Sequence, residues 1–247
     1  MKELESYSYF EELNNDKLFS FVTNKNMNIN YAKQSRDEIR DILSSVKEYD
    51  YKKIISPKQT HTNNVVTITL DNLDDELNDC DGVITNLKGV ALTIATADCQ
   101  NIFIYDPKKE VIANVHSGWK GTLNKILRNT IVKLVDVYRC DVKDLIVCIG
   151  PSILKCCFEV DSDVVDLFRQ EFTDIEDTIS LGNIKDNKQK YYIDTIEINR
   201  KELISLGVLD KNIITSNICT KCSCDRYHSY RAHGIDSGRN VSLIVMK

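Results

Sequence analysis

Three apolar, β-rich segments follow one another closely in the middle of the chain and lead into a strongly amphipathic stretch. Residues 90–97, 102–105 and 111–115 are separated only by short polar turns, a spacing that favours neighbouring strands of one sheet. Between residues 123 and 138, apolar residues recur every three or four positions, which is the period of a helix with one buried face. The chain is therefore expected to pack helices against sheets.

Similar patterns continue on both sides of this region. Helices are expected over 31–46, 163–172 and 196–206, and strands over 65–70, 145–149, 191–193, 213–214 and 241–246. Because helices and strands interleave without strict β–α–β regularity, we expect an α/β or α+β fold with layered mixed sheets flanked by helices. No stretch rich in serine, glycine or proline divides the chain, so one domain over residues 1–247 is the simplest organisation.

Charge and composition exclude several classes of protein. The 32 basic and 37 acidic residues give a formal net charge of −5 at pH 7, which argues against sequence-independent nucleic-acid binding. The N-terminal MKELESYSYFEEL lacks the pattern of a signal peptide, and the longest apolar run is far shorter than the ~20 residues of a membrane helix. With nine cysteines and no secretory signal, we expect a cytoplasmic protein without nucleic-acid or membrane partners. A functional cysteine would then be a metal ligand or a nucleophile.

Two of the four histidines and one cysteine lie next to predicted strands. His61 is in the polar turn SPKQTHTNN, Cys99 ends the run LTIATADC, and His116 ends VIANVH. Ligands bind at strand ends in α/β sheets, so these side chains can meet in one crevice. Two imidazoles and a thiolate are typical of a catalytic zinc site with an open fourth position. Alternatively, the cysteine is a small core residue and each histidine a hydrogen-bonded structural group.

The segment Gly118-Trp119-Lys120-Gly121, which precedes the predicted 123–138 helix, is a second candidate site. Glycines allow the backbone to approach a ligand closely, and a helix N-terminus offers unpaired N–H groups to an anion. Lys120 adds a cation, and Thr122 is the predicted N-cap, so a phosphate or carboxylate could bind there. The alternative is a tight turn around a packed Trp119.

The C-terminal part is rich in cysteine and arginine. Cys219 and Cys222 form a Cys-x-x-Cys pair with Cys224 close behind, which could bind zinc, but no second such pair completes a four-ligand site. Cys156 and Cys157 are adjacent, would point to opposite faces of an extended chain, and are interpreted as structural. Three arginines whose planar fork suits phosphate or carboxylate also cluster in the tail: Arg226, Arg231 and Arg239. A solvated basic loop is the alternative for these arginines.

Together these motifs resemble the bacterial laccase-domain family, also described as multicopper polyphenol oxidoreductases and as purine nucleoside phosphorylases. The matching blocks run from about residue 54 to the C-terminus and comprise KQTH, DGVITN, TADCQNIFIYDP, ANVHSGWKGT, IGPSILKCCFEV and the CTKC…SYR…GR tail. The resemblance implies a single-domain α/β fold with layered mixed sheets. It also implies one zinc ion per chain, held by His61, Cys99 and His116, which are the predicted catalytic residues as well.

The family's activity, and hence the expected one, is phosphorolysis of adenosine, inosine and methylthioadenosine to the base and ribose 1-phosphate, with adenosine deamination beside it. A purine nucleoside and phosphate are therefore the expected small-molecule partners. The candidate substrate- and phosphate-binding residues are Arg36, Gln59, Lys120 and Arg231. The family's longer glycine-rich N-terminal segment and Asn-Arg pair are replaced here by a shorter segment, in which Ser35-Arg36 is the nearest match.

Other functions remain open at this point. In a Cys–His hydrolase, Cys99 would attack an acyl carbon after deprotonation by His116, and a peptidoglycan precursor would be a reasonable substrate for an editing role. A metal- or partner-binding module without turnover is a third possibility. True laccase activity is not expected, because a first copper site at His61 and His116 leaves His228 and His233 for three further coppers. Copper is expected only as an adventitious ion.

Overall fold

The computed structural model describes residues 1–30, 33–46 and 51–247, and helices alternate with strands along this part of the chain. Its strands are β1 Lys2–Glu3, β2 Tyr7–Tyr9, β3 Leu18–Thr23, β4 Lys53–Ile55, β5 Val65–Thr67, β6 Gly82–Thr85, β7 Val90–Thr96, β8 Gln100–Asp106, β9 Val111–Ser117, β10 Ile146–Ile149, β11 Glu159–Asp161, β12 Ile179–Lys185, β13 Lys188–Ile193, β14 Ile213–Thr215 and β15 Asn240–Met246. Its α-helices are α1 Arg36–Ser44, α2 Trp119–Leu123, α3 Ile126–Tyr138, α4 Ser162–Glu171, α5 Thr195–Ser205 and α6 Tyr230–His233. Over these described residues, no helix has both the length and the apolar character needed to cross a membrane.

Two six-stranded sheets form most of the structure. Sheet A has the order β1-β2-β3-β15-β7-β4, and sheet B has the order β14-β10-β8-β9-β6-β5. Most neighbours are antiparallel, but β4 runs parallel to β7 in sheet A, and β5 and β14 run parallel to β6 and β10 in sheet B. A third, antiparallel sheet has the order β11-β13-β12. The predicted mixed α/β fold is therefore confirmed.

Side chains that alternate along the central strands fill two different cores. On β8, Ile102 and Ile104 pack in a core that includes Leu127 of α3. Phe103 faces the opposite way, into a core that also contains Leu92 of sheet A. A strand buried on both faces is apolar at nearly every position, which is why the central segments read as continuous apolar runs. The outer face of sheet A packs on α1, so the order of layers is helix, sheet, sheet, helix.

Most predicted elements are found within three residues of their expected ends, and the first helix is the clearest difference in length. It was expected over 31–46, of which residues 31 and 32 lie outside the described residues, and it begins at Arg36. Ser35 fixes this start, because its hydroxyl accepts a bond from the Glu38 N–H while the Glu38 carboxylate accepts one from the Ser35 N–H. This reciprocal capping box satisfies two N–H groups that the helix itself leaves unpaired.

The predicted 123–138 helix begins at Ile126, after the separate short helix α2, and the predicted N-cap role of Thr122 is wrong. Gly118 precedes the short helix α2, and Lys125, with a left-handed φ of 56°, separates α2 from α3. The Thr122 hydroxyl instead lies 3.0 Å from the hydroxyl of Ser117 and 3.3 Å from the amide nitrogen of Asn199. These buried polar contacts hold α2 between β9 and α5, which places the residues around Gly118 at the end of β9.

Candidate active site

Strand pairing brings the predicted site residues to one edge of sheet B. β8 and β9 are antiparallel neighbours, so Cys99, which precedes β8, lies beside His116 near the end of β9. β6 joins β9 on its other side, and β5 runs parallel to β6. The turn before β5 carries His61 and therefore reaches the same edge. The ligand atoms of the three side chains all lie within 4.8 Å of one another.

The donor atoms fit a single metal ion. Cys99 Sγ lies 3.9 Å from His61 Nε2, and the two imidazole rings have their centroids 4.8 Å apart at an angle of 78°. A tetrahedral zinc ion, with Zn–N of ~2.0–2.1 Å and Zn–S of ~2.3 Å, separates such donors by about 3.6 Å. His61, Cys99 and His116 also line one cavity, so a fourth coordination position would face a substrate.

Asp81, which sequence reasoning did not single out, is buried behind His116 and orients two of these side chains. The Nδ1–H of His116 donates to Asp81 Oδ1 at 2.7 Å, which leaves Nε2 with its lone pair for a metal. The carboxylate also accepts bonds from the backbone N–H groups of His61 at 3.1 Å and Thr62 at 2.8 Å. Carboxylates in this position fix the tautomer and raise the basicity of metal-binding histidines.

Asp98 fixes the turn between β7 and β8, in which Cys99 is the next residue. Its backbone has a φ of 86°, which is unusual for a residue other than glycine. Its carboxylate accepts hydrogen bonds from the Thr220 hydroxyl and from the Arg231 backbone N–H, each at 2.6 Å. His61 also has a positive φ, of 65°. Unfavourable backbone conformations that are held by surrounding bonds cluster at functional sites.

The charged groups of the site shift one another's pKa values. Burial alone would raise the pKa of Cys99, but the imidazole of His116 lowers it to about 6. Burial alone would lower the pKa of His116, but Cys99 and Asp81 raise it to about 9. Burial alone would raise the pKa of Asp81, but the hydrogen bond to His116 holds it well below its usual range. Without a metal, Cys99 and His116 therefore form a thiolate–imidazolium pair at neutral pH.

This pair predicts the pH dependence of Cys99 reactivity. In the metal-free protein, alkylation of Cys99 by iodoacetamide should rise with pH through a midpoint near 6, because the thiolate is the reactive form. Peptide mass spectrometry separates Cys99 from the other cysteines, and added zinc should protect it. Replacing His116 by alanine should move the midpoint toward the ~8.5 of an ordinary thiol. A wild-type midpoint already at that value would contradict the ion pair.

Gly118 lies against two of the three candidate metal ligands. A Cβ atom at this position would lie 2.9 Å from Cys99 Sγ and 3.1 Å from His61 Cδ2. The backbone has φ −74° and ψ 176°, which any residue can adopt. Glycine is therefore required here by the close approach of the ligands and not by its conformational freedom.

Gly118→Ala should weaken zinc binding by about 10–100-fold, the range seen when the surroundings of metal ligands are changed. The added methyl group would displace Cys99 and His61 from their shared position. Gly121→Ala is the matched control, because its nearest Cβ contacts would be ordinary ones at 3.5 Å. Competition with a chromophoric chelator measures both affinities, and an unchanged affinity in Gly118→Ala would contradict this role.

A cavity of about 620 Å³ adjoins the metal centre, within the ~300–1,000 Å³ typical of small-molecule sites. Its lining includes the aromatic residues Trp119, Phe158 and Tyr230 and the aliphatic Ile153. Aromatic faces stack well on a flat heterocycle. The cavity therefore suits a ligand with a planar ring placed beside the metal centre.

The predicted substrate-binding residues differ in their position relative to the cavity. Gln59 lines the cavity, but its amide bonds both the N–H and the C=O of Ala95 at 2.9 Å, which anchors the turn that carries His61. Lys120 is exposed on α2, outside the cavity lining formed by the described residues. The side chain of Arg36 lies outside the described residues.

Three cationic side chains also line the cavity. Arg231 is one of these residues. Its Nη1 donates to two carbonyl groups of the 157–159 segment at 3.1 and 3.0 Å. Its guanidinium carbon lies 5.7 Å from the centroid of the Phe158 ring. Lys58 and Arg239 line the cavity as well. Arg226, the third arginine of the tail, instead bonds to the N-terminal segment. The cavity thus combines aromatic walls, positive charge and three candidate metal ligands.

The expectation that Cys156 and Cys157 point to opposite faces is wrong. Residues 155–157 form a turn, and the sulfurs of Cys156 and Cys157 lie 3.8 and 3.5 Å from Cys222 Sγ. Cys219 belongs to the same group. A pair from a distant segment thus completes the four-cysteine set that the tail alone does not provide.

Comparison with known proteins agrees with this architecture. A purine nucleoside phosphorylase of Clostridium acetobutylicum is 34% identical over 254 residues, spanning 100% of this chain and 99% of that protein. Adenosine deaminase RL5, from an unknown prokaryotic organism, is 30% identical over 205 residues, or 80% of this chain and 77% of that protein. The crystal structure of the hypothetical protein YfiH of Bacillus licheniformis matches with a TM-score of 0.87 and 25% identity, over 98% of this chain and 97% of that one.

The comparison with family models identifies the group to which these similarities belong. The model described as multi-copper polyphenol oxidoreductase laccase matches residues 20–247, which is nearly the whole chain. The three candidate ligands, the aspartates Asp81 and Asp98 that support them, and the cavity-lining arginines all fall within this range. The chain therefore belongs to the multi-copper polyphenol oxidoreductase laccase family.

Proposed function

We propose that this protein is a zinc-dependent purine nucleoside phosphorylase that also deaminates adenosine. The observation that carries the proposal is the opening of the His61/Cys99/His116 centre into a cavity with aromatic walls and cationic side chains. The aromatic walls suit the planar base of a nucleoside, and the cationic side chains suit phosphate. The relatives named purine nucleoside phosphorylase and adenosine deaminase support the same substrate class.

Phosphorolysis requires a phosphate beside C1′ of the ribose. Lys58, Arg231 and Arg239, which line the cavity, supply positive charge for it. Arginine is suited to this task because its planar fork can donate two parallel hydrogen bonds to phosphate oxygens. Arg231 is already oriented by its bonds to the 157–159 backbone, so little of its conformational freedom remains to be lost on binding.

The purine base would stack on the aromatic walls, within reach of the metal centre. Trp119 follows directly after Gly118, which lies against Cys99 and His61, so a base stacked on Trp119 would lie next to the metal position. His61, Cys99 and His116 would hold the zinc ion, and Asp81 keeps the His116 proton on Nδ1. A bound zinc ion supplies Lewis-acid polarisation of a substrate atom or of water. That chemistry would serve both loss of the base and replacement of the amino group at C6.

The test uses purified protein with adenosine or inosine, in the presence and absence of phosphate, and chromatographic analysis of the products. We expect free base and ribose 1-phosphate only when phosphate is present, and inosine from adenosine without it. Peptidoglycan precursors, incubated in parallel, should remain unchanged. If ribose 1-phosphate is formed at no phosphate concentration, the protein is not a phosphorylase.

A Cys–His hydrolase is the second candidate, and the thiolate–imidazolium pair of Cys99 and His116 favours it. The position of His61 favours the metal centre instead, because its Nε2 approaches the same sulfur to 3.9 Å. A nucleophile needs one base and an open path to a carbonyl carbon, whereas here three donors converge on one point. Trapping of Cys99 by an acyl electrophile in metal-free protein that retains activity would favour the hydrolase.

Phenol oxidation of the laccase type is not part of this proposal. Besides His61 and His116, the chain has only His228 and His233. Neither belongs to a group of metal-binding side chains with suitable spacing among the described residues. The ligand set can still take up copper when it is supplied in excess, because copper outcompetes zinc for nitrogen and sulfur donors.

Arg231→Met should raise the KM for phosphate by about 10–100-fold, the effect of losing a charge-assisted hydrogen bond of ~1.5–3 kcal/mol. The KM for the nucleoside should change much less, since the aromatic walls remain. Arg226→Met is the matched control, because Arg226 lies in the same tail but outside the cavity lining and bonds to the N-terminal segment. Equal effects of the two variants on phosphate KM would remove Arg231 from the phosphate site.

A further inference from the structure

We propose that Cys156, Cys157, Cys219 and Cys222 form a second metal site, which binds zinc through four thiolates. Their four sulfurs lie within 4.8 Å of one another, although the two pairs are separated by more than 60 residues in the chain. This group is distinct from the His61/Cys99 centre and shares no ligand with it. It therefore raises the expected metal content from one ion per chain to two.

The separations between sulfurs match a tetrahedral zinc ion. Cys222 Sγ lies 3.8 Å from Cys156 Sγ and 3.5 Å from Cys157 Sγ. Four sulfurs at ~2.3 Å from one zinc ion are about 3.8 Å apart. A disulfide requires an S–S distance of ~2.05 Å and joins only two residues. The convergence of four sulfurs on one point thus has the dimensions of a closed, structural zinc site.

The backbone holds the two cysteine pairs together without a metal. Ser152 and Cys219 form a parallel bridge, and the N–H of Thr220 donates to the Ser152 carbonyl at 3.0 Å. These backbone contacts bring the turn at 155–157 and the segment that carries Cys219 and Cys222 together.

The positions of the two cysteine pairs in the chain indicate which segments the zinc ion would stabilise. One pair lies between Ile153 and Phe158 in the chain, and both of these residues line the substrate cavity. The other pair flanks Thr220, whose hydroxyl bonds to Asp98, the residue before Cys99. An ion at this point would tie together the two segments that support the cavity wall. Four protein ligands leave no open position, so its role would be structural and not catalytic.

Metal content measured on protein purified under reducing conditions provides the first test. We expect two zinc equivalents in the wild type, one in Cys222→Ser, and one in Cys99→Ala. Cys224→Ser is the matched control and should keep two, because Cys224 is in the same tail but outside the four-cysteine group. A wild type with a single equivalent, kept by Cys222→Ser and lost by Cys99→Ala, would overturn the proposal.

X-ray absorption at the zinc edge provides a second test that does not depend on the folding of a Cys222 variant. In Cys99→Ala, the remaining zinc should have only sulfur neighbours, at ~2.3 Å. Nitrogen or oxygen neighbours, or a Cys157–Cys222 disulfide found by mass spectrometry in protein purified under reducing conditions, would overturn the site. Neither test measures turnover, so failure of the phosphorylase proposal and failure of this one can be distinguished.

Discussion

Cys99→Ala should remove one zinc equivalent and lower the rate of phosphorolysis by at least ~10³-fold, since Lewis-acid stabilisation of several kcal/mol corresponds to such a factor. Cys99 supplies the only sulfur of the His61/Cys99/His116 centre, and its side chain lies between the two imidazoles and Gly118. Alanine leaves two neutral imidazoles, which bind zinc far more weakly than a set that includes a thiolate. Metal analysis and initial rates with inosine and phosphate measure both effects.

Cys224→Ala is the control for this variant, because Cys224 belongs to neither group of metal-binding side chains. It should keep wild-type zinc and wild-type rates. Circular dichroism should show the same secondary structure for both variants, since Cys99 lies in a connection between strands and outside the hydrophobic cores. Zinc retained in full by Cys99→Ala would remove this residue from the metal centre, and full activity would remove the metal centre from the reaction.

The residues that sequence reasoning found are those whose chemistry is visible locally. His61, Cys99 and His116 stand out because each is a metal-binding residue next to an apolar, strand-like run. The strands themselves were predictable because sheet B is buried on both faces and its segments are almost uniformly apolar. The short N-terminal strands β1 and β2 carry no such signal, since both residues of β1 are exposed and only one residue of β2 is fully buried.

The residues that were missed depend on pairings between distant segments. Nothing next to Gly118 in the sequence indicates that a Cβ there would collide with the Cys99 sulfur, because β8 and β9 must first pair to create that approach. Cys156 and Cys157 looked unrelated to the tail until the turn at 155–157 was known. An aspartate before a strand, such as Asp81, is also common at turns and gives no sign of its burial.

Asp81→Asn should lower the zinc affinity of the His61/Cys99/His116 centre by about 10–100-fold. The carboxylate accepts from His116 Nδ1–H on one oxygen and from the Thr62 N–H and hydroxyl on the other. An asparagine has only one acceptor oxygen, so its NH₂ group must face either the imidazole or the turn. In the first case His116 loses its fixed tautomer, and in the second the turn that carries His61 loses its anchor.

Asp79→Asn is the matched control, since Asp79 is exposed, lies two residues away, and bonds through its carboxylate to the Thr60 hydroxyl. It should bind zinc as the wild type does.

Because the pKa of Asp81 is held well below its usual range by His116, its carboxylate stays charged at mildly acidic pH. Loss of zinc on acidification should therefore follow protonation of the ligands and not of Asp81. In Asp81→Asn the affinity should be low even at neutral pH, where ligand protonation does not explain it. A variant that matches Asp79→Asn in a chelator titration at pH 7 would show that His116 needs no carboxylate behind it.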